Sequence, residues 1–223
     1  MEIIEDREFR QELLQKIERR EFKERTGVHG SDLIYCLNKQ ALRKLNPLDV
    51  SDSELLLFSL GWSTQRWLTG QDEDEPEKEV DGIIVTCDAL YETKPWELKC
   101  TFQSSNKPIA ENVHWIRQIM AQCYITGTKV AYLSRLEVMG NWKSIFGKKE
   151  EKKLPENRKP TLHAYRLEFS TSELLANWLW LKARRSLYLK VLESGELLPR
   201  VQALASGQEW ECGWCNYYGV ECQ

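Results

Sequence analysis

Two apolar strand patterns joined by a short polar turn constrain the fold of this chain more than any other feature. They are VDGIIVTCDALYE, residues 80–92, and KPWELKCTF, residues 94–102. Both alternate in a way that favours strands, and the short connection favours an antiparallel hairpin. Because an isolated hairpin is only marginally stable in water, we expect the rest of the chain to supply further strands and helices that cover it.

The second strand carries two charges where a buried strand would have apolar residues. Side chains alternate along a strand, so Glu97 and Lys99 point to one face, while Trp96, Leu98 and Cys100 point to the other. Charged groups on a covered face are costly unless they are paired or bind something. Two interpretations follow: an ion pair on an exposed sheet face, or a metal-binding carboxylate beside a catalytic lysine.

A second carboxylate comes from the first strand, and geometry selects which one. If the turn lies in ETKP, residues 92–95, Glu97 and Lys99 lie opposite positions near 90 and 88. Asp88 is then across the ladder from them. Asp81 is seven residues further along, roughly 23 Å away at ~3.3 Å per residue. Asp88 is therefore the predicted partner, and Asp81 is the weaker alternative.

An aspartate, a glutamate and a lysine that converge on a hairpin have a chemical use. Two carboxylates hold a hard divalent cation such as Mg²⁺ or Mn²⁺. Such a cation lowers the pKa of a bound water and stabilises the transition state of phosphoryl transfer, and a lysine positions or deprotonates that water. The alternative is a structural cluster of ion pairs, because short motifs of this kind occur by chance.

The order of patterns along the chain predicts one α/β domain with a mixed central sheet flanked by helices. Helical patterns fill much of residues 1–70, where SDLIYCLNKQALRKL predicts a single helix that contains Cys36. Strand patterns and one helix occupy residues 80–169, and a long helix covers residues 170–195. The C-terminal part, residues 196–223, is a short cysteine-rich tail.

Composition excludes several classes of protein. The 223 residues are 42% hydrophobic and include nine Trp, which indicates a globular protein rather than a disordered one. No apolar run is long enough to span a bilayer, and the charged N-terminus is unlike a signal peptide, so we expect a cytoplasmic protein with no membrane partner. The net charge of −3 gives no overall signal for nucleic acid, so such binding depends on local groups.

The tail contains the pattern C-x2-C-x6-C, formed by Cys212, Cys215 and Cys222. Seven cysteines in a chain expected to be cytoplasmic suggest metal or redox chemistry more than disulfides. The tail has too little apolar surface to fold alone, so three thiols and the distant Cys36 would attach it to the N-terminal helices through a metal. Zinc and an iron–sulfur cluster both suit four thiolates.

Together these motifs resemble the PD-(D/E)XK nucleases of the RecB-like iron–sulfur branch. The likeness is greatest to the exonuclease family that is the fourth of the CRISPR-associated proteins, and the nuclease domain of AddB shares the design. Four segments carry the resemblance over nearly the whole chain: SDLIYC, TCDALYETKPWELKC, HWIRQIMAQCY and ECGWCNYYGVEC.

The resemblance implies a restriction-endonuclease-like fold and a metal-dependent DNA nuclease. It implies that Asp88 and Glu97 ligate Mn²⁺ or Mg²⁺, helped by the Leu98 carbonyl and Gln65, while Lys99 orients the water and Gln118 steadies Lys99 or a phosphate. It also implies a [4Fe–4S] cluster on Cys36, Cys212, Cys215 and Cys222. The resemblance further implies single-stranded DNA cut 5′ to 3′ from an end as the substrate, and the CRISPR adaptation integrase as a partner.

The chain departs from the family pattern at three points. Gln65, in GWSTQ, stands where the family has a metal-ligating histidine, and Gln122 stands where the family has a tyrosine after its glutamine. The last cysteine gap is one residue longer than usual. The rival interpretations are a weakly active or non-catalytic DNA-binding protein that keeps the cluster, a recombination or repair nuclease of the AddB type, and a zinc-stapled interaction module.

Overall fold

The structure is a computed structural model that describes residues 6–21, 25–70, 77–101, 108–138 and 160–222. Short 3₁₀ helices cover Ile109–Glu111 and Glu209–Trp214. In chain order the α-helices are α1 (Arg7–Glu21), α2 (Gly30–Ile34), α3 (Leu37–Leu45), α4 (Asp52–Thr69), α5 (Val113–Thr126), α6 (Thr171–Ser194) and α7 (Arg200–Ala203). The strands are β1 (Glu77–Val80), β2 (Ile83–Thr86), β3 (Ala89–Tyr91), β4 (Lys94–Thr101), β5 (Val130–Glu137) and β6 (Thr161–Glu168).

A mixed four-stranded sheet with the order β3-β4-β5-β6 forms the centre of the molecule. Strand β4 pairs antiparallel with β3 and parallel with β5, and β5 pairs antiparallel with β6. The parallel pair needs a crossover, and helix α5 lies between the two strands in the chain, as in a βαβ unit. The predicted mixed α/β architecture with flanking helices is therefore confirmed.

The segment predicted as one strand, residues 80–92, is interrupted twice. Asp81 and Gly82 form a turn with φ of +53° and +71°, which folds β1 back on β2 as a separate two-stranded sheet. Cys87 and Asp88 then separate β2 from β3. The prediction of a single long hairpin was wrong because an Asp-Gly pair favours the positive φ values of a tight hairpin turn.

Helix α6 is packed into the main core. It begins at Ser170, whose hydroxyl accepts a hydrogen bond from the backbone N–H of Glu173 in a capping box. Trp178 and Tyr188 of this helix are almost fully buried, and Trp178 stacks on Tyr124 of α5 with ring centroids 4.5 Å apart. Around them lie buried apolar residues of α2, α3, β2 and α5, including Leu33, Leu37, Ile83, Val85, Ala121 and Ile125.

Helix α5 covers one face of the sheet. Its residues Ile119 and Cys123 pack with Ala131 and Leu133 of β5 and with Leu174 of α6. These side chains form a second apolar cluster between the helix and the strands. The cluster fixes α5 over β4 and β5, so polar residues on the same side of the helix are held against the sheet. Within the described residues, no helix combines the length and the apolar character needed to cross a bilayer.

Buried Arg184 joins the N-terminal helices to the C-terminal tail. Its guanidinium donates to the carbonyl oxygen of Leu33, to that of Tyr35 at 2.6 Å and to that of Ala203 at 2.9 Å. The helix predicted over residues 31–45 breaks at this place, so Cys36 lies between α2 and α3 rather than inside a helix. The break leaves carbonyl groups of Leu33 and Tyr35 without a partner in α2 or α3, and Arg184 of α6 satisfies them.

We predict that Arg184→Met lowers the free energy of unfolding by about 3 kcal/mol or more, because several buried carbonyl groups lose a charged donor. The measurement is urea unfolding followed by circular dichroism. Lys190→Ala on the exposed side of α6 is the matched control and should change stability by less than about 0.5 kcal/mol. Equal unfolding midpoints for the two variants would contradict the role assigned to Arg184.

Candidate active site at the β3–β4 hairpin

The hairpin that carries the predicted site is tighter than the sequence suggested. Glu92 and Thr93 form its turn with φ of +48° and +68°, as at both central positions of a type I′ turn. Ala89 pairs with Trp96, so Asp88 stands level with Glu97 rather than with Lys99. The register thus differs from the predicted one by two residues, because a two-residue turn replaces the expected four-residue turn.

Asp88 is fixed by the backbone of the opposite strand. Its Oδ2 accepts a hydrogen bond of 2.7 Å from the amide N–H of Leu98. Leu98 lies between Glu97 and Lys99, so this bond holds the Asp88 carboxylate beside both side chains. The predicted role of the Leu98 carbonyl oxygen as a metal ligand remains a prediction.

Glu97 is a buried carboxylate with a partner on each oxygen. The residue is 1% exposed. Its Oε1 forms an ion pair with Lys99 Nζ, and its Oε2 accepts a hydrogen bond of 2.6 Å from Gln122 Nε2 on α5. Gln122 is fully buried and also donates to the Thr86 carbonyl oxygen at 3.0 Å. A carboxylate this deep in the protein needs such partners, because an unpaired buried charge is strongly destabilising.

Lys99 completes the group. Its Nζ contacts Glu97 and donates to Gln118 Oε1 at 3.0 Å. Burial by itself would lower the pKa of Lys99, but the carboxylates of Glu97 and Asp88 outweigh it and raise this pKa above the ordinary value. The ammonium group is therefore protonated at neutral pH, and Gln118 directs it towards the carboxylates.

Gln65 lies on α4, in the turn of the helix that approaches β4. The neighbouring Thr64 accepts a hydrogen bond from the Cys100 thiol at 3.7 Å, which joins the helix to the strand next to Lys99. By strand alternation Cys100 points to the face opposite to Glu97 and Lys99. The metal-ligating role of Gln65 remains a prediction.

Asp81, the weaker alternative for the site, contacts the long helix α6 instead of the hairpin. Its Oδ2 accepts a hydrogen bond of 3.0 Å from the Trp178 indole and forms an ion pair of 3.1 Å with Lys182. Both partners lie on α6. The hydrogen bonds from Trp178 and Lys182 lower the pKa of Asp81. This carboxylate therefore attaches the β1–β2 turn to the long helix.

The rings of Tyr35, His114 and Trp210 form an aromatic group whose assembly the sequence did not predict, and the charge of Lys99 acts on Tyr35. The His114 ring lies 5.8 Å from that of Tyr35 and 5.7 Å from that of Trp210, between ring centroids. His114 is one helical turn before Gln118 on the same side of α5. Burial and the negative charge of Glu97 raise the pKa of Tyr35, while Lys99 opposes that shift.

The cysteine tail lies on the N-terminal helices, as its composition suggested. Cys36 packs with Cys212, Ala203 and Leu204 in a small buried cluster, and its backbone N–H donates to Glu211 Oε2 at 3.1 Å. Asn38 Nδ2 donates to Cys222 Sγ at 3.9 Å. Cys215 lies one residue beyond the 3₁₀ helix of Glu209–Trp214.

The assignment of Cys36, Cys212, Cys215 and Cys222 as cluster ligands remains a prediction. Burial raises the pKa of the Cys36 thiol to about 11. In the part of the chain that the structure describes, which includes all seven cysteines, no three His, Cys, Asp or Glu side chains are arranged to hold a metal ion. The remaining cysteines, Cys87, Cys100 and Cys123, lie on or beside the sheet and α5.

The comparisons with known proteins concern the fold. No family model and no curated protein matches the sequence. The crystal structure of SSO0001 is similar to this chain with a TM-score of 0.58, at 14% identity over 95% of both chains. At that identity the similarity shows a shared fold and nothing about activity.

Two other solved structures are less similar. A phage-related exonuclease from Haemophilus somnus 129PT has a TM-score of 0.47 at 11% identity, over 77% of this chain and 97% of its own. The alkaline exonuclease LHK-Exo from Laribacter hongkongensis has a TM-score of 0.40 at 15% identity, over 75% of this chain and 90% of its own.

Proposed function

We propose that this protein is a metal-dependent nuclease that hydrolyses phosphodiester bonds of DNA. One observation carries the proposal: the β3–β4 hairpin and α5 bring Asp88, Glu97, Lys99 and Gln118 together around a single point. A structural ion pair alone would need only Glu97 and Lys99. The second carboxylate and the directed ammonium group are the additional parts that phosphoryl chemistry requires.

The two carboxylates suit a hard divalent cation, Mg²⁺ or Mn²⁺. Asp88 and Glu97 would hold it, because carboxylate oxygens are the ligands such ions prefer. When bound, the cation supplies a nucleophilic water of lowered pKa and neutralises charge on the phosphate. We propose the backbone carbonyl oxygen of Leu98 and the side-chain amide oxygen of Gln65 as further ligands. Gln122 keeps Glu97 oriented from α5, as an outer hydrogen-bond partner of a ligand does.

In this proposal Lys99 acts as a cation. The carboxylates of Glu97 and Asp88 raise its pKa, and the ammonium group offers N–H donors only. It can donate a hydrogen bond to the attacking water or to a phosphate oxygen, and it stabilises the negative charge that develops there. Gln118 holds the ammonium group in this position through its amide oxygen.

The aromatic group supports single-stranded DNA as the substrate. Unpaired bases stack on aromatic side chains, and each such contact is worth about 1–3 kcal/mol. Trp210 is 49% exposed and Tyr35 lies beside Lys99, so a strand with its phosphate at Lys99 would have rings within reach of its bases. On the family resemblance alone, we also propose that the protein cuts DNA 5′ to 3′ from an end. The same resemblance is the ground for proposing that it acts beside the CRISPR adaptation integrase.

We also propose that Cys36, Cys212, Cys215 and Cys222 hold a [4Fe–4S] cluster. The support is that Cys36 and Cys212 share one buried cluster with the tail, and that Asn38 joins Cys222 to the same region. When bound, the cluster would attach the tail to α2 and α3 through four thiolates. Trp210 lies in the same 3₁₀ helix as Cys212, so the cluster would also position one ring of the aromatic group.

The catalytic proposal predicts different failures for different residues. Asp88→Ala and Glu97→Ala should lose Mn²⁺ binding and cleavage together, because each removes a ligand. Lys99→Gln should keep Mn²⁺ binding and a hydrogen-bond donor for Glu97, yet lose about 10²–10³ in cleavage rate. The measurements are calorimetric Mn²⁺ binding and cleavage of an end-labelled single strand.

Asp81→Ala is the matched control for this series, since its carboxylate contacts α6 instead of the hairpin. It should bind Mn²⁺ and cleave like the wild type. If Lys99→Gln cleaved DNA at the wild-type rate, the charges of the hairpin would form only a structural ion pair. A wild-type protein that binds DNA and never cleaves it would favour the non-catalytic alternative.

The cluster proposal predicts that protein purified without oxygen is brown and contains iron and sulfide. Cys212→Ala should remove the colour and destabilise the fold, because the tail loses a thiolate. Cys123→Ala, a buried cysteine of α5, is the control and should keep the colour. A colourless wild-type protein with one tightly bound zinc would contradict the iron–sulfur assignment and keep the four-thiolate assignment.

The ligand role of Gln65 predicts an effect of the family's histidine. An amide oxygen binds Mn²⁺ more weakly than imidazole does, so Gln65→His should lower the half-saturating Mn²⁺ concentration for cleavage. A ligand better by about 1.4 kcal/mol would lower it about tenfold. Ser63→His on the exposed side of α4 is the control. Identical Mn²⁺ titrations for all three proteins would place Gln65 outside the metal's ligands.

A further inference from the structure

Arg135 lies beside Lys99 on the face of the sheet that carries the candidate site. The two residues are partners in the parallel register of β4 and β5. Paired residues on neighbouring strands point to the same face, and neighbouring strands are about 4.8 Å apart. Leu133, two residues earlier on that face, is fully buried beneath α5. Arg135 therefore lies where the apolar cluster ends and the polar site begins.

The guanidinium of Arg135 has more donors than partners. The residue is 7% exposed, and its Nη2 forms an ion pair of 2.9 Å with Glu137 Oε1. Its Nε and Nη1 are buried and have no hydrogen-bond partner within the described residues. A buried donor without a partner costs about 1–3 kcal/mol, so these two N–H groups call for a hydrogen-bond acceptor.

The surrounding charges select an anionic ligand. Glu137 already takes one side of the guanidinium, and its second oxygen lies 3.8 Å from His163 Nε2 on β6. The remaining N–H groups match an oxyanion with several oxygens, which is the geometry that arginine binds best. The same face holds the ammonium group of Lys99, so a chain of phosphates crossing β4 and β5 would meet two cations in succession.

We propose that Arg135 binds a phosphate of the DNA strand that flanks the phosphate being cut. The proposal rests on the nuclease function proposed above. Lys99 and the carboxylates act at the scissile phosphate. Arg135, on the adjacent strand β5, binds the next phosphate of the same DNA strand. Arg135 is therefore a substrate-positioning residue that sets the register of the DNA on the site.

The test measures DNA binding in Ca²⁺, which replaces the catalytic cation, by fluorescence anisotropy with a labelled single strand. Arg135→Gln should weaken binding about 10- to 100-fold, because a charged hydrogen bond to phosphate is lost. The slope of log affinity on log salt should fall by about 0.7, as expected for one phosphate contact on a single strand. Arg166→Gln on β6, an exposed arginine paired with Glu168, is the control and should change neither quantity.

A position scan identifies the phosphate. Oligonucleotides with one neutral methylphosphonate at successive positions should lose affinity for the wild type at the flanking phosphate. Arg135→Gln should be insensitive to the same substitution, since the interaction is already absent. Equal losses in both proteins at every position would overturn the proposal.

A second variant separates binding from folding. Arg135→Met combined with Glu137→Leu removes both members of the buried ion pair, a replacement that is often neutral for stability. It should fold, by circular dichroism, and still bind DNA more weakly than the wild type. Wild-type affinity in this variant would make the pair purely structural. Failure of the nuclease proposal is a different result: the wild type would then cleave no DNA in Mn²⁺ or Mg²⁺.

Discussion

The burial of the Glu97 carboxylate is the constraint on which the site depends. A charge with 1% exposure must be compensated on every side, and the chain compensates it with one residue of its own strand and one of α5. Gln122 can reach Glu97 only if α5 packs on β4 and β5. The apolar cluster of α5 and the charge of Glu97 therefore specify the same placement of the helix, one by packing and the other by hydrogen bonding.

The parts of the fold that follow from short-range pattern could be predicted from the sequence. Strand alternation places Glu97 and Lys99 on one face, and the short turn brings Asp88 to them; the structure has both features. The mixed sheet also follows from the order of strand and helix patterns. The break of residues 80–92 was missed because apolar alternation continues through Asp81 and Gly82, although the Asp-Gly pair itself was a usable signal.

The parts that depend on long-range pairing could not be predicted. Arg135 lies next to Lys99 only because β5 pairs parallel with β4, and no local pattern states that register. Its one signal was an Arg-x-Glu pair in an apolar strand, analogous to Glu97-x-Lys99. Tyr35, His114 and Trp210 come from three segments that are far apart in the sequence, and the rings of Tyr35 and Trp210 contact that of His114 only in the folded chain. The structure defines where these residues lie, and the roles given to them and to the hairpin residues are proposals.

The junction around Arg184 has a consequence for the order of folding. Its bonds to Leu33 and Tyr35 span 151 and 149 residues of chain, and the bond from Cys36 to Glu211 spans 175. Contacts so distant in sequence form slowly, because a long loop must close first. On the ribosome, α2 and α3 are made early but lack their final partners until the tail has emerged. A nascent chain therefore exposes the apolar residues Leu33 and Leu37 of α2 and α3 until α6 has been made.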